Sequence, residues 1–545
     1  MNKITFILGT LLVFSCSNPS DLDKIQDINS TFENTSVEIK GVVTGVFQDK
    51  AALSGFFIQD DALFASSGIF VNSTKDVHVG DEILINATVV EVRNETRLDS
   101  VTSIELLSSN HSFTTHTLNF PFTLEEIESL EGCLVAIPNA LQISDSYSFE
   151  KYGQLMVSSS PLVQATELFD AQNQPNQIKA HNDKQFSTTL VLDDLSNIKY
   201  PSNEDLYCAK NKVVVGATIK GVKGYVCQRN GVYSVRLLDD IEVVAPALNS
   251  DVAVAGKLKL LSFNVHNLFN GNGDKIGFPT ERGAKTYKDY VKQITKLNSA
   301  ISIVNPDIIS LMELENDGED SLSAISQLCQ FLNRNSKRGT YQVAMTSNSP
   351  GSDVIKTGII YDASVLQSKQ SSYHADSIFS RNPIFQEFTF QDSLTFVVAV
   401  NHFKSKGSRG AKGLNNDQKD GQGAYNYKRL KQAEALLQLT DSLYTNKNVL
   451  IVGDFNAYSQ EDPIQVLNSQ NFSKLQTNQF SYVYKGMQGD LDHAFVSTKF
   501  RDQVKGIRVL DINASYPNWT DYRFENSDES WLRSSDHNPL LIGLY

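Results

Sequence analysis

The amino-acid sequence predicts an α+β protein in which small all-β domains precede a larger domain of mixed strands and helices. Three observations support this fold class. The 545 residues are too many for one hydrophobic core, so two or three domains are expected. Short runs of alternating apolar and polar residues, such as 37–43, dominate the N-terminal half and are typical of half-buried strands. After a predicted linker at 245–250, strands alternate with amphipathic helices.

The first residues have the pattern of an export signal. Lys3 precedes an apolar run at 4–14, which is too short to cross a bilayer and suits the core of a secretory signal. The residues that lead to Cys16 resemble the lipobox of bacterial lipoproteins, in which the cysteine carries the lipid. We therefore expect a lipoprotein-type signal at 1–16 and a polar tether at 17–35. The chain is predicted to be exported, and either lipid-anchored to a bacterial membrane or cell surface or secreted.

The remaining cysteines do not indicate a metal site or a disulfide framework. Their wide, irregular spacing resembles no zinc site, and four cysteines are too few for a disulfide scaffold. A bond between Cys208 and Cys227 is one alternative in an oxidising compartment, but we expect buried free thiols. These cysteines are Cys133, Cys208, Cys227 and Cys329.

Two small β domains are predicted in front of the mixed domain. The first, at 36–113, contains short alternating runs that end at turn residues, as in a small antiparallel barrel, and their order resembles an OB-fold. The pattern Val-Gly-x-x-Ile at 79–83 recurs at 215–219, which predicts a second, related β domain at 114–248. Residues 164–185 are rich in Gln, Asn and Ala and are predicted to form an exposed loop of this second domain.

The mixed domain is predicted at 257–545. An apolar stripe at steps of four and three, from Tyr290 to Val304, indicates an amphipathic helix that ends at Asn305 and Pro306. Further elements follow the same alternation. The predicted strands are 258–263, 307–312, 394–400 and 449–452, and the second predicted helix is 427–444.

The ends of these strands carry side chains that can bind metal or move protons. Each alone has an ordinary structural explanation as a turn cap, a solvated strand end or a buried histidine. Six such positions in one domain are hard to explain in this way, because strand ends are not expected to collect Asn, Asp, Glu and His so consistently. The positions are Asn264, Glu313, His402, the pair Asp454 and Asn456, Asp492, and the pair Asp536 and His537.

The strand at 449–452 shows most directly what these side chains suit. Alternation along a strand places Asp454 and Asn456 on one side, and Gly453 permits close approach of the neighbouring backbone. A carboxylate beside an amide suits a hydrated divalent cation and a phosphate oxygen.

Charge is distributed unevenly along the chain. The formal net charge of −14 argues against nucleic-acid binding by broad electrostatic attraction. Binding of a polyanion would therefore need a local basic patch or a metal ion. Residues 401–434 contain eight Lys or Arg and three Asp or Glu, which leaves this glycine-containing segment at +5. Its first lysine, Lys404, comes two positions after His402. We expect it to contact substrate phosphates, whereas the alternative is a solubilising surface loop.

The C-terminal domain resembles the endonuclease/exonuclease/phosphatase superfamily over nearly all of 257–545. The resemblance implies a four-layer α/β/β/α sandwich for this domain, preceded by OB-fold-like modules as in certain secreted bacterial nucleases. The strings that support this subgroup are 282–284, 312–316, 401–408, 421–429 and 453–462.

The resemblance also implies the hydrolysis of phosphodiester bonds by water with the help of a divalent cation. Glu313 would be the principal Mg²⁺ ligand, with Asn264 beside it and Asp536 on the metal side. Mn²⁺ or Ca²⁺ are alternatives to Mg²⁺. Asp454 and Asn456 would orient the water and the phosphate.

Two histidines receive roles from the same resemblance. His537 would act as a general base or polarise the phosphate, and Asp492 would fix its tautomer and raise its basicity. His402 would protonate the leaving oxygen, with Asp353 as its candidate acidic partner. Arg381 would contact the phosphate.

The predicted function is a metal-dependent nuclease that hydrolyses DNA, with RNA as a further substrate. Four residues of the basic segment are predicted to bind substrate with Arg381, and no protein partner is predicted. The alternatives are a phosphodiesterase or phosphatase that acts on lipid or sugar phosphates, and an inactive nucleic-acid-binding lipoprotein. The four residues are Lys404, Lys406, Arg409 and Arg429.

Overall fold

A computed structural model describes most of the chain, which divides into two compact units. Unit 1 runs to Pro138 and includes 195–198 and 222–239, and unit 2 comprises the remainder from Asn139 to Tyr545. The predicted second β domain, 114–248, is shared between the units, and the predicted domain boundaries stay a prediction. The predicted signal and Cys16 lie outside the described residues. Those residues are 23–48, 53–60, 67–247, 252–335, 339–346, 348–369, 371–468, 471–477, 479–524 and 530–545.

The N-terminal half is rich in strands, as the sequence predicts. The strands are β1 (Ser36–Phe47), β2 (Gly55–Gln59), β3 (Gly68–Val71), β4 (Glu82–Val92), β5 (Glu95–Ser108), β6 (His116–Thr117), β7 (Leu134–Ile137), β8 (Leu141–Asp145), β9 (Leu155–Ser158), β10 (Thr189–Asp193), β11 (Thr218–Lys220), β12 (Val222–Arg229), β13 (Val232–Leu237) and β14 (Glu242–Val244). The helices are α1 (Leu124–Glu128), α2 (Phe149–Tyr152), α3 (Ala165–Leu168) and α4 (Pro175–Phe186).

Unit 1 contains a closed barrel with strand order β1-β2-β3-β5-β4. Alternation along β1 buries Val37 and Ile39 and exposes Glu38 between them, so one face of the strand joins the barrel core. The run at 37–43, which was predicted as a strand, lies within β1, which confirms it. A further part of unit 1 pairs β13 with β12, β12 with β7, and β7 with β6.

The first part of unit 2 pairs its strands in the order β14-β11-β8-β9-β10. The prediction of an exposed loop at 164–185 is wrong, because this segment contains α3 and most of α4. Pro175 occupies the first turn of α4, where its missing N–H costs nothing, and residues such as Gln and Lys favour helix. Thr166 and Glu167 of α3 are buried, so part of the segment lies in the interior.

The second part of unit 2 contains two mixed sheets. Their strands are β15 (Leu258–Leu268), β16 (Ile308–Glu315), β17 (Tyr341–Val343), β18 (Ile355–Asp362), β19 (Leu366–Ser368), β20 (Ser372–Tyr373), β21 (Ile384–Phe390), β22 (Leu394–His402), β23 (Val449–Asp454), β24 (Phe472–Lys474), β27 (Asp492–Ser497), β28 (Val504–Val509) and β29 (Leu540–Leu544), and a separate hairpin comprises β25 (Tyr482–Tyr484) and β26 (Met487–Gly489). The helices are α5 (Tyr287–Val304), α6 (Ala324–Asn335), α7 (Asn426–Leu443) and α8 (Asp462–Leu467).

Alternating side chains of these strands supply three apolar clusters. The first sheet has the order β17-β18-β16-β15-β29-β28, and the second has β19-β21-β22-β23-β27-β24. Leu258 and Leu260 of β15 join a cluster that includes Val398 and Val400 of the second sheet, so the sheets share one core. The opposite face of the first sheet packs against α5 and α6, and that of the second against α7 and α8. The predicted strands and helices of this domain are confirmed.

Helix α5 shows how local sequence fixes an element. Thr286 accepts a hydrogen bond from the backbone N–H of Asp289, whose side chain accepts one from Thr286 in return, which forms a capping box. The helix ends at Asn305, which adopts a left-handed conformation with φ of 50° before Pro306. Among the described helices, none is both long and apolar enough to cross a membrane. Cys133, Cys227 and Cys329 are buried free thiols, as predicted, whereas Cys208 is a free thiol that is only half-buried.

Glu131 in unit 1 is a half-buried residue whose carboxyl group has a strongly raised pKa. Its Oε1 is buried without a hydrogen-bond partner among the described residues, and burial, followed by the carboxylates of Glu128 and Glu95, raises the pKa of Glu131 to about 9. The unfolded chain releases this proton near pH 4.5, so the folded state binds more protons between these values and loses stability as pH rises through this window.

We expect Glu131→Gln to stabilise the protein by about 1–3 kcal/mol at about pH 8 and to have little effect at about pH 4. Thermal unfolding at the two pH values measures this. Glu125→Gln, at an exposed position in α1, is the matched control. An equal effect of Glu131→Gln at both pH values would contradict the explanation by charge.

Candidate active site

The two sheets bring the predicted polar side chains to one place. His402 at the end of β22 pairs with Asp454 at the end of the parallel strand β23, and Asp454 pairs with Asp492 of β27. Asn264 lies on β15 of the other sheet, and its Nδ2 donates to Oδ2 of Asp454 at 3.1 Å. All four side chains are buried. The ends of strands from two facing sheets therefore form a single polar cluster.

The Oδ2 atom of Asp454 is the centre of this cluster. His402 Nε2 lies 3.4 Å from it and 4.0 Å from Oε1 of Glu313. His537 Nε2 lies 4.0 Å from the same Asp454 oxygen, and its Nδ1 lies 2.7 Å from Oδ2 of Asp492. The imidazoles of His402 and His537 thus both lie near the carboxylate of Asp454. Of the two, His537 also has a second carboxylate, that of Asp492, at hydrogen-bond distance from its other nitrogen.

The two histidines have opposite electrostatic surroundings. Burial opposes the charged form of His537, but the carboxylates of Asp492 and Asp454 outweigh it and hold the pKa of His537 well above its usual value. Burial, followed by the positive charges of Arg381 and His537, holds the pKa of His402 well below its usual value. These surroundings therefore favour the imidazolium form of His537 and the neutral form of His402.

Asp454 is itself a perturbed acid. Burial, reinforced by Asp492 and opposed by His537, raises the pKa of Asp454 to about 7. Its Oδ1 accepts the backbone N–H of Asn456 at 2.8 Å, and Asn456 Nδ2 donates to the carbonyl of Phe403 at 3.2 Å. A Cβ at Gly453, where φ is 145°, would lie 2.0 Å from the carbonyl oxygen of Asn401. Glycine is therefore required to bring β23 this close to β22.

Glu313 and two residues that the sequence analysis did not identify form the opposite side of the cluster. Glu313 has a φ of 64°, which turns its side chain out of the regular strand. Oε2 of Glu313 accepts Nδ2 of Asn267 at 2.6 Å, while His266 Nδ1 lies 3.8 Å from Asp536 and 3.7 Å from Asp521. Burial opposes ionisation of Asp536, but His266, His537 and nearby arginine hold its pKa below the usual value.

Arg381 lies behind His402 and is surrounded by further cations. Its Nε donates to the carbonyl of His402 at 3.0 Å, and its Nη1 lies 3.3 Å from Asp353. Asp353 therefore pairs with Arg381, and with Arg282 at 3.8 Å, so its predicted partnership with His402 is wrong. Burial, followed by Arg381, lowers the pKa values of Lys404 and Lys428. We call Arg282, Arg381, Lys404 and Lys428 the cationic cluster.

The predicted contact of Lys406 and Arg429 with substrate is corrected to a structural role. Arg429 is fully buried and donates to the carbonyls of Ala424 and Gln422 at 2.8 and 2.7 Å. Lys406 Nζ donates to both oxygens of the buried Glu461 at 2.5 Å. Buried charges need such partners, and these two are already committed to them. Arg409 is exposed and Lys404 is half-buried, so their predicted role stays open.

A buried carboxylate from the first part of unit 2 supports the loops that carry the site. Glu167 of α3 accepts the backbone N–H groups of Ser459 at 3.2 Å and Asp490 at 2.9 Å, as well as the hydroxyl of Ser459. These residues follow Asn456 and precede Asp492. Thr166 adds a hydrogen bond to Glu461 at 2.9 Å. Neither contact was predicted, because α3 was assigned to an exposed loop.

The sequence of this region matches a known family model. Residues 261–537 match the Endonuclease/Exonuclease/phosphatase family, and the chain therefore belongs to this family. It is a hydrolase of that superfamily, and enzymes of this kind typically depend on a divalent metal, commonly Mg²⁺. No curated protein matches the sequence.

Several solved structures are similar to part of this chain. A humanized D. rerio TDP2 is 15% identical with a TM-score of 0.34, and the match covers 52% of this chain and 97% of that one. The human Nocturnin catalytic domain is 15% identical with a TM-score of 0.35, covering 53% and 95%. A mannosyl-6-phosphatase of Bacteroides thetaiotaomicron is 14% identical with a TM-score of 0.34, covering 53% and 100%.

The residues beside Glu313 suit a hydrated Mg²⁺. Within the described residues, no group of three or more His, Cys, Asp or Glu side chains is arranged to hold a metal ion. Mg²⁺ commonly binds through one or two carboxylates and keeps several waters, so this does not conflict with a site built on one carboxylate. Asn267 Oδ1 is buried without a hydrogen-bond partner among the residues described, and it belongs to the side chain that contacts Glu313. Glu313 with the amide oxygens of Asn264 and Asn267 provides the hard oxygen donors that Mg²⁺ prefers.

Proposed function

We propose that this protein is a Mg²⁺-dependent nuclease that hydrolyses phosphodiester bonds of DNA or RNA. The observation that carries the proposal is the cationic cluster directly behind His402, next to an assembled set of acid and base groups. A single phosphate monoester needs cations at the reacting phosphorus only, whereas a polynucleotide brings further phosphates to either side. Arg282, Lys404 and Lys428 are available to such neighbouring phosphates.

In the proposed reaction, the side chains of His537, Asp454 and His402 have different roles. A bound Mg²⁺ would offset the charge on the phosphoryl oxygens. Of the two roles predicted for His537, its raised pKa favours an imidazolium that donates a proton to a phosphoryl oxygen. Asp454, with a pKa of about 7, is suited to orient a water and accept its proton. His402 Nε2 lies 3.4 Å from Oδ2 of Asp454, and because burial favours the neutral form of this imidazole, His402 is a weaker acid for the leaving oxygen than His537.

The same proposal includes the export and the architecture predicted from sequence. The closed barrel with order β1-β2-β3-β5-β4 supports an OB-fold module at 36–113 that presents substrate. Three apolar clusters support a four-layer α/β/β/α arrangement at 257–545. We further propose that 1–16 directs export with lipidation of Cys16, and that the N-terminal modules act with nucleic acid and without an obligatory protein partner.

A substrate panel tests the proposed function. Purified protein with Mg²⁺ is expected to nick supercoiled plasmid and degrade RNA or linear DNA, and EDTA should abolish this activity. The family also contains phosphatases, so the same panel includes sugar phosphates and lipid phosphates. Release of phosphate from such esters, with all nucleic acids left intact in Mg²⁺, Mn²⁺ or Ca²⁺, would replace the proposal by a phosphatase. Inactivity on every ester, with nucleic-acid binding retained, would indicate the inactive binding protein.

The cationic cluster predicts a change in salt dependence. Each Lys that contacts a phosphate releases bound counterions, so the double variant Lys404→Gln with Lys428→Gln should flatten the slope of log affinity against log salt by roughly one to two. Hydrolysis of a small phosphodiester should change little. The double variant Lys499→Gln with Lys505→Gln, at two exposed positions, is the charge-matched control. An unchanged slope for DNA would show that these lysines do not contact the backbone.

A further inference from the structure

A cleft of about 520 Å³ lies beside the catalytic cluster, within unit 2. His266 and Asp536 of the candidate site line it on one side. Residues 144–147, which are the last two residues of β8 and the two that follow it, line the other side of the cleft. Ligand pockets commonly measure about 300–1,000 Å³, so this cleft can take a group of nucleotide size. Neither the family match nor the predicted site residues include its lining from the first part of unit 2.

Aromatic side chains line much of this cleft. Tyr147 and Tyr484 are 77% and 51% exposed, which is unusual for rings of this size. Tyr482 packs its ring 4.6 Å from that of His537, so the aromatic surface continues to the catalytic imidazole. Exposed rings next to an active site offer flat faces on which a planar group can stack.

Two arginines line the cleft together with the carboxylates of Asp145 and Asp536. Arg533 is buried, and its Nε has no hydrogen-bond partner among the described residues, although its other nitrogens donate to Asn513 and Asn518. Arg523 forms a two-point contact with Asp521 at 2.9 and 3.0 Å and remains 46% exposed. Both line the cleft, and guanidinium groups bind phosphate and stack on planar rings.

The first part of unit 2 holds the aromatic hairpin in place. Gln164 donates its backbone N–H to Gln488 at 2.9 Å, and Gln488 donates back to Leu162 at the same distance. The side chain of Gln164 also donates to the carbonyl of Tyr484 at 3.3 Å. The hairpin β25–β26 is therefore bonded to the segment before α3, and Tyr482 and Tyr484 are positioned before substrate arrives.

We propose that this cleft binds one unpaired nucleotide next to the scissile phosphate, with its base on the tyrosines and its phosphate on the arginines. The inference rests on the proposed nuclease function and narrows its substrate to single-stranded or locally opened nucleic acid. Base stacking needs an accessible ring face, which a paired base in a duplex does not offer.

Binding and turnover of the full chain test this inference. Affinity for a fluorescent single-stranded oligonucleotide is measured in EDTA, which separates binding from catalysis, and KM is measured for the same strand with Mg²⁺. Tyr484→Ala and Tyr147→Ala should each weaken affinity and raise KM roughly five-fold or more, as expected for the loss of one stacking ring. Hydrolysis of a small phosphodiester should stay unchanged. Tyr200→Ala, at a 65% exposed position outside the cleft, is the matched control.

The possible results separate this inference from the proposed function. If the wild-type protein cleaves nucleic acid but neither tyrosine variant weakens single-strand binding, the cleft proposal is overturned and the nuclease stands. Equally strong competition by duplex and single-stranded DNA would also overturn it. If the wild-type protein cleaves no nucleic acid, the nuclease fails, and the binding assay still decides whether the cleft takes an unpaired strand. Variants that lose affinity for a sugar phosphate and keep it for the oligonucleotide would assign the cleft to sugars.

Discussion

Replacing His537 by alanine is expected to lower kcat for nucleic acid roughly 10²- to 10⁴-fold. The variant removes the imidazolium that Asp492 and Asp454 hold protonated at the centre of the site. Because its role is proposed in the transition state, KM should change much less than kcat. Steady-state kinetics on DNA and on a small diester measure both values. His111→Ala, at an exposed position, is the control for loss of a histidine.

A second variant separates a chemical role of His537 from a structural one. Asp492→Asn keeps the size of the side chain but removes the main charge that raises the pKa of His537. The imidazolium should then lose its proton at lower pH, so the alkaline limb of the pH–rate profile is expected to move downward. A lower rate with the alkaline limb unmoved would show that Asp492 acts only by holding the fold.

Removing the carboxylate of Glu313 is expected to abolish most activity at ordinary Mg²⁺ concentrations. In Glu313→Gln an amide replaces the one carboxylate that the proposed cation site depends on, so half-maximal activity should need roughly ten-fold more Mg²⁺ or higher. The measurement is rate against Mg²⁺ concentration. Glu434→Gln on α7, where the carboxylate pairs with Lys431 at 2.7 Å, is the control.

Thermal unfolding gives a readout of the same site without catalysis. A ligand that binds only the folded state raises the melting temperature of the protein. Mg²⁺ should therefore raise the melting temperature of the wild-type protein more than that of the Glu313→Gln variant. Equal stabilisation by Mg²⁺, together with unchanged half-maximal activity, would show that Glu313 is not a ligand. Loss of activity without any change in Mg²⁺ requirement would assign Glu313 to another step.

Much of the site could be predicted from the sequence because the ends of neighbouring strands lie together at the edge of a sheet. Buried aliphatic runs such as 449–452 identify central strands, and the polar residues that follow them must then meet at the edges of the sheets. The structure brings Asn264, Glu313, His402, Asp454, Asp492 and His537 together as the sequence analysis expected.

Other features depend on partners that are distant in the sequence. Lys406 and Arg429 lie in a basic segment, but the buried Glu461 that neutralises them cannot be located from local composition. His266 and Asn267 have left-handed backbones at the end of β15, so period-two alternation gives no information about where they point. The pairing of Asp353 with Arg381 was likewise not predicted, because the two residues are distant in the sequence and come together only in the fold.

The hydrogen bonds of Glu167 have a consequence for the smallest active fragment of this protein. The family match begins at residue 261, yet the backbone N–H groups of Ser459 and Asp490 find their acceptor in a helix almost a hundred residues earlier. A chain cut at Lys257 would leave both donors without that acceptor, beside a cleft with one wall missing. We therefore do not expect the catalytic region to be fully active when it is separated from the first part of unit 2. Any chimera that transfers its activity to another protein must carry α3 and the strands that hold it.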